Sequence, residues 1–301
     1  MTHKNPTIDL TSALLLLGLA TVWGGSFFFA EIALREVPPL TIAFHRVFWA
    51  VPALLFVAYW QGLTIPRSPQ TWLCYLVMGA LNNAIPFSLI FWGQVTIDSG
   101  LASILNGTTA VFGAVVAGIL LVDEPLTTRK IIGALFGLFG VAVIMGLGAL
   151  TDFDLRNLSQ LAVLGAALSY SFAGVWGKRF LSEHPPTMNA LGMLIGATVL
   201  MAPVAIFTEG PPEIALSIEV WASLIAVAVL STAVAYLLYF KILTRAGSAN
   251  LMLVTLLIPP IAVGLSVTFL GEKLGSEAWI GFGLIAFGLA VTDGRLFNRL
   301  R

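Results

Sequence analysis

Hydrophobic residues occupy most of this chain in long runs that short polar turns separate. A membrane-spanning helix needs about 20 consecutive apolar residues, and ten segments of roughly that length can be marked in the sequence. The connections between them hold nearly all of the charged residues, together with turn sequences such as REVPP, IPRSP and TEGPPE. The pattern predicts an all-α integral membrane protein with ten transmembrane helices, at residues 11–30, 38–60, 70–93, 99–122, 129–149, 157–180, 187–207, 217–240, 247–270 and 275–292.

The composition also indicates a membrane environment and excludes a soluble domain. Hydrophobic residues make up 58% of the chain and charged residues 10%, whereas soluble domains have about 25% charged residues. The formal net charge is +0, so nothing favours nucleic acid as a partner. No motif predicts a cofactor or a metal site, and the single Cys74 cannot form an intramolecular disulfide. The expected partners are the lipid bilayer and a small-molecule substrate, with the protein a monomer or a homodimer.

Lysine and arginine residues predict the orientation, because cytoplasmic loops retain them. Three of them fall on one side of the predicted spans, at Arg35, Arg156 and Lys273. The other side carries eleven, which are Lys4, Arg67, Arg129, Lys130, Lys178, Arg179, Lys241, Arg245, Arg295, Arg299 and Arg301. We therefore expect a multi-pass protein of a bacterial-type inner (plasma) membrane, with both termini in the cytoplasm.

The chain repeats itself with an offset of 147 positions. The stretch GLATVWGGSFFFAEIALREVPP (18–39) aligns with GAALSYSFAGVWGKRFLSEHPP (165–186) at six identical positions. At an offset of 148, DEPLTTRKIIGALFGLFGVAV aligns with GEKLGSEAWIGFGLIAFGLAV, so a single one-residue indel joins the two registers. The alternative is chance similarity between apolar helices, which does not predict a nearly constant offset across half of the chain. The sequence thus predicts two repeats, residues 1–150 and 151–301.

Each predicted repeat has five spans, so the second must enter the membrane inverted relative to the first. Inverted repeats are characteristic of secondary transporters, which bind substrate near the membrane midplane between the repeats and work by alternating access. The sequence has no GxxxxGK[ST] motif, so transport driven by its own ATP hydrolysis is not expected. A membrane enzyme and a receptor or scaffold are the rival classes, although none of the three histidines lies in a metal-spacing motif.

Several motifs resemble those of one transporter superfamily. These are WGGSF, FHRVFWA and DEPLTTRKIIGALFGLFGVAVI in the first half, and AYLLYFKILTRAGSANLMLVTLLIPPIAV and LGEKLGSEAWIGFGLIAFG in the second. They are similar to the drug/metabolite transporter superfamily over essentially the entire chain, as two EamA-type units, and more narrowly to YddG-type bacterial amino-acid exporters. The resemblance implies export of small metabolites through a central cavity lined by the first, third, fourth, sixth, eighth and ninth spans.

Polar and aromatic residues within these spans are the candidates for substrate binding. An amide or hydroxyl in the hydrocarbon region needs a protein partner or a wet cavity. Helix packing, proline kinks and interfacial aromatic belts are the structural alternatives for such positions. The predicted substrate-binding residues are Trp23, Ser26, Asn82, Asn83, Asn106, Thr109, Ser169, Tyr170, Tyr236 and Tyr239.

Two charged residues have a different expected role. Arg46 is the single charge well inside a predicted span, and Glu31 lies near the end of the first span. We expect a structural or gating function for both, with Arg46 held by backbone carbonyls or by Glu31. Because the mid-span candidates are amides, hydroxyls and aromatic rings rather than carboxylates, the predicted substrates are neutral or zwitterionic, with amino acids first. Drugs, sugars and nucleosides stay open as alternatives.

Overall fold

The structure is a computed structural model that describes residues 9–122, 126–145, 155–246, 251 and 254–293. These residues form α-helices, π-helical turns and short connections, and no strand occurs among them. We number the helices in chain order as α1 (Leu10–Ala33), α2 (Pro39–Trp60), α3 (Pro69–Gly93), α4 (Ser99–Leu120), α5 (Thr128–Met145), α6 (Leu155–Phe180), α7 (Pro186–Glu209), α8 (Ile218–Ile225, Ala226–Val234 and Ala235–Ala246 in succession), α9 (Val254–Leu265 followed by Ser266–Leu270) and α10 (Ser276–Asp293).

Seven of these helices, α1 to α4 and α6 to α8, are long and apolar enough to cross a membrane. Two shorter apolar helices, Leu257–Leu270 and Ser276–Val291, follow in the last part of the chain. The all-α membrane class is therefore confirmed, while the count of ten spans stays a prediction. The junction predicted between the repeats, at residues 150 and 151, lies outside the described residues.

A π-helical turn, Ala80–Ala84, interrupts α3 just before Pro86. Proline lacks a backbone N–H and normally breaks the hydrogen-bond ladder of a helix, but the wider turn places it in the first turn of the segment Ile85–Gly93, where that N–H is not needed. The hydroxyl of Ser169 on α6 donates to the carbonyl of Leu81 in this turn, over 2.7 Å. Pro86 is thus accommodated by a π turn that the hydroxyl of a second helix contacts.

A longer π-helical segment, Ala226–Val234, interrupts α8. The Thr232 hydroxyl donates to the carbonyl of Val227, five residues earlier, over 3.0 Å. Extra residues of this kind turn the following side chains to a new face, and they are frequent at functional sites. Both α3 and α8 therefore change helical phase partway along their length.

Glycines allow several helices to cross with their backbones in contact. A Cβ on Gly196 of α7 would lie 2.9 Å from both Leu76 Cα and Tyr75 O on α3. In the same way, a Cβ on Gly140 of α5 would meet the carbonyl of Gly281 on α10, at 2.7 Å. Gly140 and Gly281 therefore pack against each other within the chain.

The main helix contacts join early helices to late ones. The first helix packs on α8 and α9, α6 packs on α3 and α4, α2 packs on α7, and α5 packs on α10. Buried apolar side chains from both halves of the chain form one hydrophobic cluster at these contacts. This arrangement places the middle of α1, α2, α3, α6 and α8 side by side, which is where the polar side chains described next are found.

Candidate substrate site

Arg46 is the buried charge at the centre of this arrangement, with 7% of its surface exposed. Its Nε–H donates to Thr232 Oγ1 on α8 over 3.0 Å, and one terminal nitrogen donates to Ser26 Oγ on α1 over 2.8 Å. The other terminal nitrogen contacts the carbonyl of Ser231 at 3.4 Å. Three helices therefore meet at one guanidinium group.

Aromatic side chains complete the surroundings of the Arg46 guanidinium. Its central carbon lies 3.8 Å from the centre of the Phe87 ring on α3, a cation–π contact. The hydroxyls of Tyr170 on α6 and Tyr236 on α8 are close enough to interact electrostatically with the charge. Among the residues that the structure describes, no carboxylate forms a salt bridge with Arg46, so the expected alternative of a bond to Glu31 is not observed.

Two adjacent amides of α3 share one hydroxyl of α8. Asn82 donates to Tyr236 Oη over 2.9 Å, and Asn83 donates to the same oxygen over 3.3 Å. Asn83 is fully buried, and its Oδ1 accepts no hydrogen bond from any described residue. The amide of Asn82 also contacts Met193 Sδ on α7 at 3.7 Å. The structure thus brings three of the predicted site residues into direct contact.

Half-buried aromatic residues border this polar group. The rings of Trp23 on α1 and Tyr239 on α8 are 6.0 Å apart and tilted. Tyr170, Tyr236 and Tyr239 each keep some accessible surface in mid-helix, although neighbours such as Thr232 are buried. In the described part of the chain the Tyr170 hydroxyl makes no hydrogen bond. Accessible surface beside buried polar groups is what the lining of an internal space requires.

Other predicted site residues bind their own or a neighbouring backbone. Thr109 donates to the carbonyl of Asn106 over 2.7 Å, next to the break in α4 at residues 107–108. The Oδ1 atom of Asn106 is buried and lacks a partner among the described residues. The Ser169 hydroxyl supports the π turn of α3, as described above, so its contact is structural.

Glu31 lies apart from Arg46, towards the end of the bundle where α1 and α3 finish. Its carboxylate contacts the side-chain amide of Gln94 at 3.4 Å, and Gln94 also donates to the carbonyl of Phe27 over 3.0 Å. Glu272, Asp98 and Arg35 are charged groups that interact electrostatically with Glu31. The two charges that the sequence grouped together therefore have different surroundings.

Carboxylates bind the starts of helices at this end, which we call the Glu272 end. Glu272, just after α9, accepts hydrogen bonds from Ser99 N at 3.1 Å, Ser99 Oγ at 2.7 Å and Gly100 N at 3.1 Å, all at the start of α4. Glu209, at the end of α7, accepts from Thr41 N at 2.7 Å and Thr41 Oγ1 at 2.8 Å at the start of α2. Carboxylates are favourable beside helix N-termini because unpaired N–H groups point towards them.

Glu36 makes the reverse connection, from the first half of the chain to the start of α8. Its carboxylate accepts from Ser217 N over 2.8 Å. Hydrogen bonding from Ser217, by its side chain and its backbone N–H, holds the pKa of the Glu36 carboxyl below its ordinary value. At the opposite end, the exposed pair Asp9 and Arg245 joins α1 to α8 at 2.6 Å, where solvent weakens such bonds.

Some residues of the polar centre are absent from the predicted set. Ser231 and Thr232 on α8 and Phe87 on α3 all contact Arg46. The hydroxyls of α8 were visible in the sequence as polar residues in an apolar span, whereas nothing distinguishes Phe87 from the other phenylalanines. In the part of the chain that the structure describes, no group of three or more His, Cys, Asp or Glu residues could hold a metal ion.

A bundle of long apolar helices around a buried polar centre is typical of a helical membrane protein, and comparison with known proteins gives its family. The sequence model of the EamA-like transporter family matches residues 10–146 and again residues 157–292. The chain belongs to the EamA-like transporter family. The predicted superfamily is confirmed, and the protein is a membrane transporter.

Similar proteins of comparable length include ones named as transporters. An uncharacterized transporter of Archaeoglobus fulgidus is 27% identical over 93% of this chain and 97% of its own. A probable amino-acid metabolite efflux pump of Escherichia coli K12 is 25% identical over 92% of this chain and 93% of its own. A solved crystal structure superposes on 97% of this chain and 99% of its own, with a TM-score of 0.69. Its identity is 20%, so that likeness concerns the fold.

Proposed function

We propose that this protein is a secondary or facilitative transporter that exports small metabolites, with amino acids as the first class, from the cytoplasm. It works by alternating access between two inverted five-helix repeats, residues 1–150 and 151–301. The observation that carries the proposal is the polar centre, which lies where the two halves meet. Arg46 binds Thr232 across that contact, and Asn82 binds Tyr236.

Three observations support the repeats. The family matches start at residues 10 and 157, and 157 − 10 = 147 is the offset found in the sequence. The helix contacts are the same when each helix of one repeat is exchanged for its counterpart in the other, α1 for α6 and α4 for α9. The contact of α1 with α9 then corresponds to the contact of α6 with α4. Arg46 aligns with Met193 at that offset; Arg46 contacts Thr232 on α8, and Met193 contacts Asn82 on α3. Five helices in each unit then require opposite orientations.

The proposed direction of transport rests on the names of similar proteins, and the proposed substrate class rests also on the chemistry of the site. One similar protein of Escherichia coli and one of Salmonella typhimurium are named as probable amino-acid metabolite efflux pumps. The polar centre offers both donors and acceptors, in Arg46, Asn83 and the tyrosines, and these suit a zwitterion with two charged ends. Aromatic rings beside them, at Trp23 and Tyr239, tolerate varied side chains.

The orientation can be tested with two exposed loop positions. In a Cys74→Ser background, Glu213→Cys should react with an impermeant thiol reagent added outside intact cells, because the Glu272 end is the proposed periplasmic end. Gln61→Cys lies in the connection at the other end and should react in opened membranes alone. Both positions are exposed, so differences in burial do not explain the result. The opposite labelling pattern would contradict both the assigned orientation and cytoplasmic termini.

Transport can be measured with the purified protein in liposomes loaded with labelled amino acids. We expect efflux of neutral amino acids from wild-type vesicles. Replacing Asn83 or Tyr170 with alanine should lower efflux roughly tenfold while membrane expression is kept, since removal of one buried hydrogen-bonding group costs about 1–3 kcal/mol. The matched exposed controls Gln61→Ala and Tyr59→Ala should transport normally.

The same vesicles separate the competing substrate classes. Wild-type protein that moves quaternary ammonium drugs and no amino acid would show that the amino-acid proposal is wrong. Movement of sugars or nucleosides alone would select that alternative. Normal efflux in both the Asn83 and Tyr170 variants would remove these residues from the site.

A further inference from the structure

Arg46 has hydrogen-bond donors without an acceptor among the residues that the structure describes. A guanidinium group carries five N–H donors, and the contacts to Thr232, Ser26 and Ser231 occupy three of them. Phe87 covers one face of the group without accepting a hydrogen bond in its plane. Two N–H donors of a buried cation therefore have no acceptor among the described residues.

The Tyr236 hydroxyl is in the same situation. A phenolic oxygen can accept two hydrogen bonds and donate one. Asn82 and Asn83 both donate to this oxygen, so its lone pairs are taken. No described residue accepts the remaining O–H hydrogen, and Tyr236 lies within electrostatic range of Arg46. Because both amides donate to the Tyr236 oxygen, the Tyr236 O–H is left as a donor near the positive charge of Arg46.

A structural role alone does not explain these groups. Charges buried in a membrane protein are normally paired, because an unpaired charge is costly in a medium of low dielectric constant. Neutral hydroxyls, a carbonyl and the rings of Phe87 and Phe91 compensate the Arg46 charge in part, and they leave the positive field in place. The Oδ1 of Asn83, the residue whose amide donates to Tyr236, accepts no hydrogen bond from a described residue and is an acceptor of the kind that an ammonium group needs.

We propose that Arg46 and Tyr236, with the Tyr170 hydroxyl beside them, form a carboxylate-binding subsite that selects the substrate. The proposal rests on the proposed transport of amino acids and goes beyond it, because it assigns one end of the substrate to named donors. The substrate carboxylate accepts from the free N–H groups of Arg46 and from the Tyr236 O–H. Its ammonium group lies towards Asn83 Oδ1. The same positive charge repels cations that lack a carboxylate.

The experiment compares three probes that differ in their charged ends. Leucine has both groups, leucinol keeps the ammonium group and lacks the carboxylate, and 4-methylpentanoate keeps the carboxylate alone. Each is tested as a competitor of labelled leucine exchange in liposomes and as a stabiliser of the detergent-purified protein in thermal unfolding. Wild type should prefer leucine over leucinol by at least ~30-fold, as expected for a charge-assisted bidentate bond.

The variants show whether Arg46 produces this preference. Arg46→Gln and Tyr236→Phe should each reduce the ratio of leucine to leucinol affinity, with Arg46→Gln lowering it at least tenfold. Arg46→Lys should keep part of it, since lysine retains the charge and loses the planar pair of donors. Arg179→Gln removes an exposed arginine at the end of α6 and should keep the wild-type ratio. The thermal measurement gives the ratio for a variant that folds and no longer transports.

Two results would overturn the subsite. In the first, Arg46→Gln weakens leucine and leucinol equally, which is what loss of a helix–helix connection alone would do. In the second, neither leucine nor 4-methylpentanoate stabilises the wild-type protein. If leucine is not exchanged but 4-methylpentanoate stabilises wild type and not Arg46→Gln, the amino-acid proposal fails and the carboxylate subsite is supported.

Discussion

Replacing Gly196 with leucine is expected to prevent the protein from folding into a stable bundle. A Cβ at this position would already lie 2.9 Å from backbone atoms of α3, Tyr75 O and Leu76 Cα. Because the obstacle is backbone rather than the end of a flexible side chain, the two helices would have to separate. We expect a loss of at least ~3 kcal/mol in the free energy of unfolding, at the upper end of overpacking effects.

The comparison variant is Gly174→Leu, which adds the same side chain to another membrane helix. A Cβ on Gly174 meets nothing within 4 Å. Both variants, carried as fluorescent fusions, can be followed by size-exclusion chromatography and thermal unfolding in detergent. Gly174→Leu should give a single peak with a melting temperature near that of wild type. A Gly196→Leu protein with the same behaviour would show that α3 and α7 do not touch as described.

Hydropathy predicted the bounds of the seven membrane-length helices well because each of them is a continuous apolar run. The predicted span 70–93 corresponds to Pro69–Gly93, and the predicted span 99–122 corresponds to Ser99–Leu120. Proline, serine and charged residues at the turns define such ends in the sequence itself. Hydropathy could not predict which face of the helix each side chain occupies after the π turns in α3 and α8. Such turns involve contacts with other helices, such as the hydrogen bond from the Ser169 hydroxyl to the carbonyl of Leu81.

The contacts of the candidate site depend on residues far apart in the chain. Polar character singled out Asn82, Asn83 and Tyr236 individually, but their shared hydrogen bonds join residues more than 150 positions apart. The sequence proposed carbonyls or Glu31 as partners of Arg46. In the structure Arg46 donates to one carbonyl and two hydroxyls. These belong to α1 and α8, and the sequence does not indicate that these two helices pack beside Arg46.

Three carboxylates at the starts of helices connect the two halves of the chain. Glu209 and Glu272 belong to the second half and bind helix starts in the first, whereas Glu36 belongs to the first half and binds the second. Each bond therefore crosses the contact between the proposed repeats at one end of the bundle. Breaking them would be required for the halves to separate there, so they have the position of a closed gate on the proposed periplasmic side.

Replacing Glu272 with alanine is accordingly expected to open this end. The substitution leaves Ser99 N, Ser99 Oγ and Gly100 N without their carboxylate, and it removes the bond between α9 and α4. Loss of a capping side chain costs about 0.5–2 kcal/mol, and charged hydrogen bonds contribute about 1.5–3 kcal/mol. Since the cost falls on the conformation closed at this end, the population should shift roughly tenfold or more towards the open one.

A cysteine at Asn106, halfway along α4 and half-buried, can report this opening. In a Cys74→Ser background, Asn106→Cys should react with an external impermeant thiol reagent at least tenfold faster when Glu272→Ala is added. Glu277→Ala, which removes an exposed carboxylate from α10, should leave the rate unchanged. Equal labelling rates in all three proteins would mean that Glu272 stabilises α4 without closing a path to the centre. Faster labelling in the Glu272 variant alone is the result that a gate predicts, because Asn106 is reached from outside after the two halves separate.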